Sequence, residues 1–448
     1  MTRTPITDAL MAYKRTNAVQ FDVPFHKQKG TERLAELIGT QAIEYDFNSM
    51  KALDNLGNPT SVIAQSERQT AEFFGAANAF YMVNGTTGAV QAMMLDCLKT
   101  GDKVIITRNA HKCATNGLIL TGAEPIYADE DVVRTIEENK DAKAVFVVNP
   151  SYDGERVDLL EISRTAHSYG MSLMVDEAHG GHEYLAKNRT TAMSASADYS
   201  AVSMHKTCGA LTQAAVLLTG ESVPKERIME TINMTQTTSP SYLLMASIEC
   251  ARADMEEHGR EYARILNHLY GKATDELRIV PNVTVLDRAD RTKLEFSVKG
   301  YSGMELYERL RDDFGIQAEY GDAEKVLLYL SYRNTEDEIE RVVEAVGELA
   351  GSGSESEEKE EERPFTNPKT VMSPKEASSM PAEKILIHKA VGRIASETVM
   401  CYPPGIPIIS PGELISEEIV DRIIEVKFGK YEVHGAENGK IRVVKEAA

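Results

Sequence analysis

VDEAHGGH, residues 175–182, and SMHKTCGALTQ, residues 203–213, are the stretches on which the fold turns. Each joins a short apolar, strand-like run to a polar turn: SLMV (172–175) leads into Asp176, and AVSM (201–204) leads into His205-Lys206. In parallel α/β sheets, ligand sites gather at the carboxyl ends of strands. An acid at one such end and a lysine at another suit pyridoxal 5'-phosphate (PLP). Its aldehyde needs an amine, and its ring nitrogen needs a buried carboxylate to stay protonated. Asp176 and Lys206 are read as that pair. A lysine taken alone is usually a solvated charge, but this one lies between AVSM and the small, apolar GALTQAAVLL (209–218). Asp176 taken alone is equally a cap or turn residue.

Outward from this pair, the cofactor's phosphate needs backbone donors and a helix N-terminus. VNGTTG (83–88) offers both, because strand-like FYMV runs into Asn84-Gly85 and the helix-compatible AVQAMMLDCL follows. Gly85 permits close backbone approach, and Thr86 and Thr87 supply hydroxyls and amides. NAHK (109–112), just after KVIIT, places His111 at another strand end, where an imidazole stacks on a pyridine ring or simply closes a βα turn. His179 and His182 have the i, i+3 spacing of zinc ligands, but they sit in a Gly-Gly loop without a third ligand at convincing spacing, so no metal is expected.

The strand-like runs KVIIT, AVFVV, SLMV, AVSM and AAVLL alternate with helix-compatible stretches, which predicts a doubly wound α/β large domain over residues 1–275. A smaller α+β domain is expected over 276–350, an acidic flexible linker over 351–369 around GSGSESEEKEEER, and a C-terminal α+β domain over 370–448 with a helix at PKEASSM and strands at EVKF and IRVV. The net charge of −20 argues against nucleic acid as a partner. The sequence has no membrane-length apolar run and no signal-peptide pattern at its N-terminus, and its five cysteines lack paired spacing. A cytoplasmic enzyme with reduced thiols is the expectation.

These motifs resemble the Orn/Lys/Arg decarboxylase family, PLP enzymes of the aspartate-aminotransferase fold (fold type I). The match runs in order through VPFHK (23–27), LDNLGNPTS (53–61), FFGA, VNGTTG, NAHK, VVNPSYDG, VDEAHGGH, SMHKTCGALTQ, TTSPSYLL (237–244), YPPGIP (402–407) and SPGE (410–413). The first of these motifs begins at residue 23, which suggests a short form without the N-terminal receiver-like domain.

The resemblance implies Lys206 as the Schiff-base lysine, Asp176 as partner of the ring nitrogen and His111 stacked on the ring. It also implies Thr86, Thr87, Ser203 and His205 on the phosphate, and His179 near the phenolic oxygen or the substrate. Thr238 and Ser239 resemble a loop that reaches the phosphate from a neighbouring subunit, which implies a homodimer, or a tetramer, with the site at the interface. Two departures stand out. Phe25 replaces a usual Gly and is expected to be strained if that Gly takes positive φ. Met204 replaces a usual Thr.

The implied reaction decarboxylates arginine, lysine or ornithine, arginine being favoured, to the amine and CO2. Lys206 or His179 returns a proton to the α-carbon. The basic side chain needs an acid, and Glu44, Asp46, Asp54 and Glu397 are the candidates. Other PLP reactions remain open: an aminotransferase would clamp the α-carboxylate with an arginine such as Arg333, and elimination or aldol cleavage would also fit the scaffold. A non-catalytic relative is opposed by the intact Asp176, His111 and Lys206.

Overall fold

The computed structural model describes residues 4–128, 131–185, 190–352, 367–428 and 431–446. Its centre is a seven-stranded sheet of β1 (Asn78–Met82), β2 (Lys103–Thr107), β3 (Glu124–Ala128), β4 (Ala144–Val148), β5 (Ser172–Glu177), β6 (Tyr199–Ser203) and β7 (Ala215–Thr219), in the order β1-β7-β6-β5-β4-β2-β3. Both faces are covered. Along β4, Val145 and Val147 enter one apolar cluster while Ala144, Phe146 and Val148 enter the other. A run apolar at every position is what a strand buried on both faces requires. Each large side chain so buried contributes roughly 1.5–3 kcal/mol.

The pairing is parallel except at β7, which runs antiparallel to both β1 and β6. The carboxyl ends of β1, β2, β4, β5 and β6 therefore share one edge. That edge carries the turn at Asn84-Gly85, His111, Asp176 and Lys206.

One helix of 37 residues, Tyr242–Arg278, links two cores. Its first half gives Tyr242, Met245 and Ile248 to the large core, and its second gives Leu266, Leu269 and Leu277 to a smaller one. The smaller core lies on an antiparallel sheet of β8 (Val283–Leu286), β9 (Lys293–Val298), β10 (Tyr320–Gly321) and β11 (Val326–Tyr329), ordered β10-β11-β9-β8. Beyond it, β12 (Ala382–Leu386) pairs β16 (Lys440–Val444), and β13 (Val399–Cys401) lies between β14 (Pro407–Ile409) and β15 (Val433–His434).

This last unit is anchored to the large domain. Arg108 pairs with the buried Glu413 and donates to the Ile408 carbonyl at 3.1 Å, and the Lys112 amide donates to the Gly405 carbonyl at 2.9 Å.

The structure corrects two expectations. EVKF is not a strand but the end of the helix Glu417–Phe428, because Ile419, Val420, Ile423 and Val426 recur at helical spacing and face one core. Phe25 is not the strained residue: the positive φ falls on Lys27 and Gln28, and Phe25 projects outward at 94% exposure. Residues 353–366 of the expected acidic linker lie outside the described residues. Among the described residues, no helix is long and apolar enough to cross a membrane.

Candidate active site

Lys206 rides on a single helical turn, Met204–Thr207, directly after β6. The turn is tied down on both sides: Met204 is fully buried, and the His205 amide donates to the Ala214 carbonyl at 3.3 Å. The side chain therefore leaves the sheet edge at a fixed point. Its Nζ lies 3.0 Å from His179 Nε2. By accessible area Lys206 counts as exposed, since the cleft before it is open. The protein packed around it still lowers its pKa, against the pull of Asp176 and Glu319.

Asp176, at the end of β5, is buried, and one carboxylate oxygen accepts from the Ala178 amide at 3.0 Å. Burial raises its pKa, opposed by that amide and by Lys206. A carboxylate so placed gains from any cation brought to it, as a protonated ring nitrogen would be.

The VNGTTG turn becomes the start of the helix Gly85–Cys97, with Gly85 at φ +74°. No side chain caps this N-terminus, and Thr86 Oγ1 is buried without a hydrogen-bond partner. Uncapped amides beside an orphaned hydroxyl form an anion cradle, so the residues present fit a phosphate group. Ser203 is also fully buried, its Oγ 3.0 Å from His205 Nδ1.

His111 does two things. Its Nδ1 accepts from the Cys113 amide at 3.2 Å, capping the helix Lys112–Thr121, while its other edge meets Gly405 of the C-terminal unit. A Cβ added at Gly405, whose φ is +82°, would come within 2.9 Å of that imidazole. Burial, with Lys206 and Lys112 nearby, lowers the His111 pKa to about 4, so the ring is neutral near pH 7.

The opposite wall of the cleft comes largely from the smaller sheet, and it was not foreseen. Tyr329, the last residue of β11, hydrogen-bonds His179 Nδ1, so the His179 ring is held at both nitrogens. Lys293 opens β9 fully buried, its Nζ 3.7 Å above the Tyr329 ring and 3.6 Å from Asp290. Burial lowers its pKa to about 8 despite Asp290 and Glu319. Glu319 accepts from the Tyr152 hydroxyl and acts electrostatically on both Lys206 and Lys293. The only signal in the sequence was a lysine opening the apolar run KLEFSV.

Behind this wall His182 Nε2 lies 2.9 Å from Asp290. Burial pulls the His182 pKa down, but Asp290 and Glu183 outweigh it and leave it up at about 9. His182, Glu183 and Asp290 offer ligand-type atoms within 4.8 Å of one another. Arg156 on Glu183 and Lys293 on Asp290 already supply positive charge there.

The other predicted residues fall elsewhere. Thr87, Thr238 and Ser239 face solvent, the last two beyond Gln236, whose side chain is bonded to the backbone of Tyr81 and Val83. Each of the four acids proposed for the substrate has neighbours of its own within the chain. Glu44 pairs with Lys14 at 3.1 Å and Asp46 with His26 at 2.9 Å. Asp54 is buried and accepts from the Asn55, Thr60, Ser61 and Ile63 amides, a cap that holds its pKa low although burial pushes it up. Glu397 belongs to the C-terminal unit beside Lys384 and Arg442. Arg333 is 66% exposed, pairs with Asp254 and lies over Tyr262 and Tyr332, so it is not turned into the cleft as a carboxylate clamp.

Residues 4–292 match the model of the Orn/Lys/Arg decarboxylase major domain, and residues 358–426 match that of its C-terminal domain. The chain is 34% identical to an arginine decarboxylase of Bacillus subtilis (strain 168) over 99% of its own length and 98% of the relative's. It is 25% identical to a lysine decarboxylase of Pseudomonas aeruginosa over 60% of its length and 41% of the relative's. Among solved structures, the constitutive lysine decarboxylase of Escherichia coli superposes with a TM-score of 0.84 at 18% identity, covering 99% of this chain and 82% of that one. A serine palmitoyltransferase of Sphingomonas wittichii superposes at 0.58 and 16% identity, over 73% and 86%.

Proposed function

The chain belongs to the Orn/Lys/Arg decarboxylase family, and on that premise we propose that it decarboxylates arginine, using PLP held by Lys206. The broader activity, decarboxylation of a basic amino acid, follows from family and full-length relatives together. The observation that carries the finer reading is the convergence of Lys206, His179, Asp176 and the uncapped helix at Gly85 on one sheet edge.

PLP, when bound, accepts the electron pair left as the α-carbon loses its carboxylate. The chain's own residues do the rest. Thr86, Ser203 and His205, with the first amides of the helix at Gly85, would hold the phosphate. Asp176 would hold the proton on the ring nitrogen, and His111, neutral and pinned between the Cys113 amide and Gly405, would bear on the ring. Lys206 and His179 share a hydrogen bond at 3.0 Å and handle the proton bound for the α-carbon.

Arg333 is spent on Asp254, and Lys293 is a buried cation of the wall. Its charge is already shared with Asp290 and with the Tyr329 ring. A weak cation suits decarboxylation, because a tight clamp would stabilise the ground-state carboxylate. Glu319, with Tyr152 and Tyr320 beside it, takes the guanidinium in place of the four acids read from sequence.

A homodimer completes the site. Phe21 and Phe25 stand 92% and 94% exposed on the N-terminal arm, and Thr238 and Ser239 face outward, available to a neighbouring subunit. The five cysteines are unpaired, in keeping with a cytoplasmic location. The function is tested by measuring CO2 and amine from the PLP-loaded protein on arginine, lysine, ornithine and neutral amino acids. Turnover of arginine above the others supports the reading, and a keto acid or aldehyde without CO2 replaces it with transamination, elimination or aldol cleavage.

A further inference from the structure

We propose that Tyr329 is the entry point of a proton relay, running through His179 to Lys206, that recharges the active-site lysine from the polar cavity that Tyr329 borders. The inference rests on the decarboxylase reading above and adds the route by which its proton arrives.

The geometry is a continuous chain. Tyr329 Oη bonds His179 Nδ1, and His179 Nε2 lies 3.0 Å from Lys206 Nζ. His179 is buried, and burial next to Lys206 and Lys293 holds its pKa well below the usual range, so the ring carries one hydrogen. One ring hydrogen between two partners makes a two-position switch. When Nε2 gives its hydrogen to Lys206, Nδ1 takes one from the Tyr329 hydroxyl.

Tyr329 in turn borders a cavity of about 330 Å³, lined also by Arg156, His182, Glu183, Thr207 and Ser331. That space is both roomy and polar enough to hold several waters.

The reaction needs such a supply. The C–C bond to the carboxylate breaks, CO2 departs and the α-carbon's electron pair takes a proton from Lys206 Nζ, forming one C–H bond. Lys206 is then one proton short; the relay returns a proton to it, Lys206 hands that proton on to the product amine, and the product leaves as an ammonium ion with Lys206 unchanged over the cycle. One solvent proton is consumed per turnover, with no external oxidant or reductant. The charged and titratable groups facing the relay are Lys293 and Asp290 around β9, Glu319 beside β10, Tyr152 and Asp153 from the loop after β4, and His111. Tyr329 acts through His179 and is a positioning residue. Lys206 also borders the cavity, so direct uptake from water is the competing route.

The experiment is Tyr329→Phe with two readouts. In the cofactor-free protein, ¹⁵N resonances of His179, assigned with His179→Gln, should shift at Nδ1 when the phenol is lost. In the PLP-loaded enzyme, kcat on arginine should fall on the order of tenfold, with KM little changed and a larger solvent deuterium isotope effect on kcat. If Tyr329→Phe folds poorly, 3-fluorotyrosine at 329 keeps shape and hydroxyl while acidifying it, and should change the solvent deuterium isotope effect on kcat at neutral pH. Unchanged kcat and isotope effect in Tyr329→Phe, or an unchanged isotope effect with fluorotyrosine, overturns the relay in favour of direct uptake. If the wild type releases no CO2 from any basic amino acid, the functional reading fails instead, and a shift at His179 Nδ1 still upholds the Tyr329 link while its absence removes it.

Discussion

The two walls of the cleft are built on different principles. The wall on the large sheet is a set of strand ends whose polar groups are left available: an uncapped helix N-terminus, a hydroxyl on Thr86 without a partner, and a buried carboxylate on Asp176 with one amide on it. The wall on the small sheet is paired by charge within itself, as Lys293 faces Asp290, Asp290 faces His182, Tyr152 bonds Glu319 and Tyr329 bonds His179, although Asp290 Oδ2 and His182 Nδ1 lack hydrogen-bond partners. The first resembles a receptor awaiting a rigid, charged ligand. The second is an electrostatic network that sets charge and proton supply around the reacting atoms. The difference implies that cofactor retention and substrate turnover can be separated by mutation.

The largest expected effect lies on the large-sheet wall. Lys206→Ala should cost on the order of 10³-fold or more in kcat/KM and leave a protein that loses its yellow colour on dialysis. Retained turnover would remove Lys206 from the chemistry altogether. Next, Glu319→Gln should lower kcat/KM for arginine by roughly 10- to 100-fold while PLP affinity, followed by absorbance titration, stays within about twofold. A collapse of PLP binding in this variant would show that the two walls are not separable.

A smaller effect is expected where the C-terminal unit touches the first wall. Gly405→Ala places a Cβ against the His111 imidazole at a positive φ, and PLP affinity should weaken several-fold with the fold intact by circular dichroism. Undiminished affinity would mean that His111 does not bear on the cofactor.

The subtlest test reads the second wall through stability. His182 has a folded pKa of about 9 against an ordinary 6.5, so its contribution is complete below pH 6.5 and is lost as pH rises towards 9. Lys293, depressed to about 8 from 10.5, has the opposite sign, and the cost of burying its charge eases only above pH 8. Between pH 6.5 and 8 the melting temperature of the cofactor-free protein should therefore fall with rising pH, and His182→Gln should flatten that slope. An equally steep slope in the variant would place the titration elsewhere.

The same contrast explains what could be read in the sequence. Asp176, Lys206, His111 and Gly85 each close a strand-like run, and a strand end is a local pattern, so the sheet edge and its cofactor groups follow from short stretches. Asp290, Lys293, Glu319 and Tyr329 are ordinary residues in their own neighbourhoods and gain meaning only when the small sheet is laid against the large one. Glu44, Asp46, Asp54 and Glu397, read as substrate acids from local sequence, illustrate the converse. An acid's partners are set by tertiary contacts, and here they are Lys14, His26, a ring of amides, and the surroundings of Lys384 and Arg442. EVKF misled because a four-residue apolar alternation cannot be told from the last turn of an amphipathic helix.

The central claim is that the cofactor is carried by the large-sheet wall at Lys206. Borohydride reduction of the PLP-loaded protein followed by peptide mapping tests it most directly. The account predicts a pyridoxyl group on the peptide containing Lys206 and none on Lys293, and a label on Lys293 or any other lysine would contradict it.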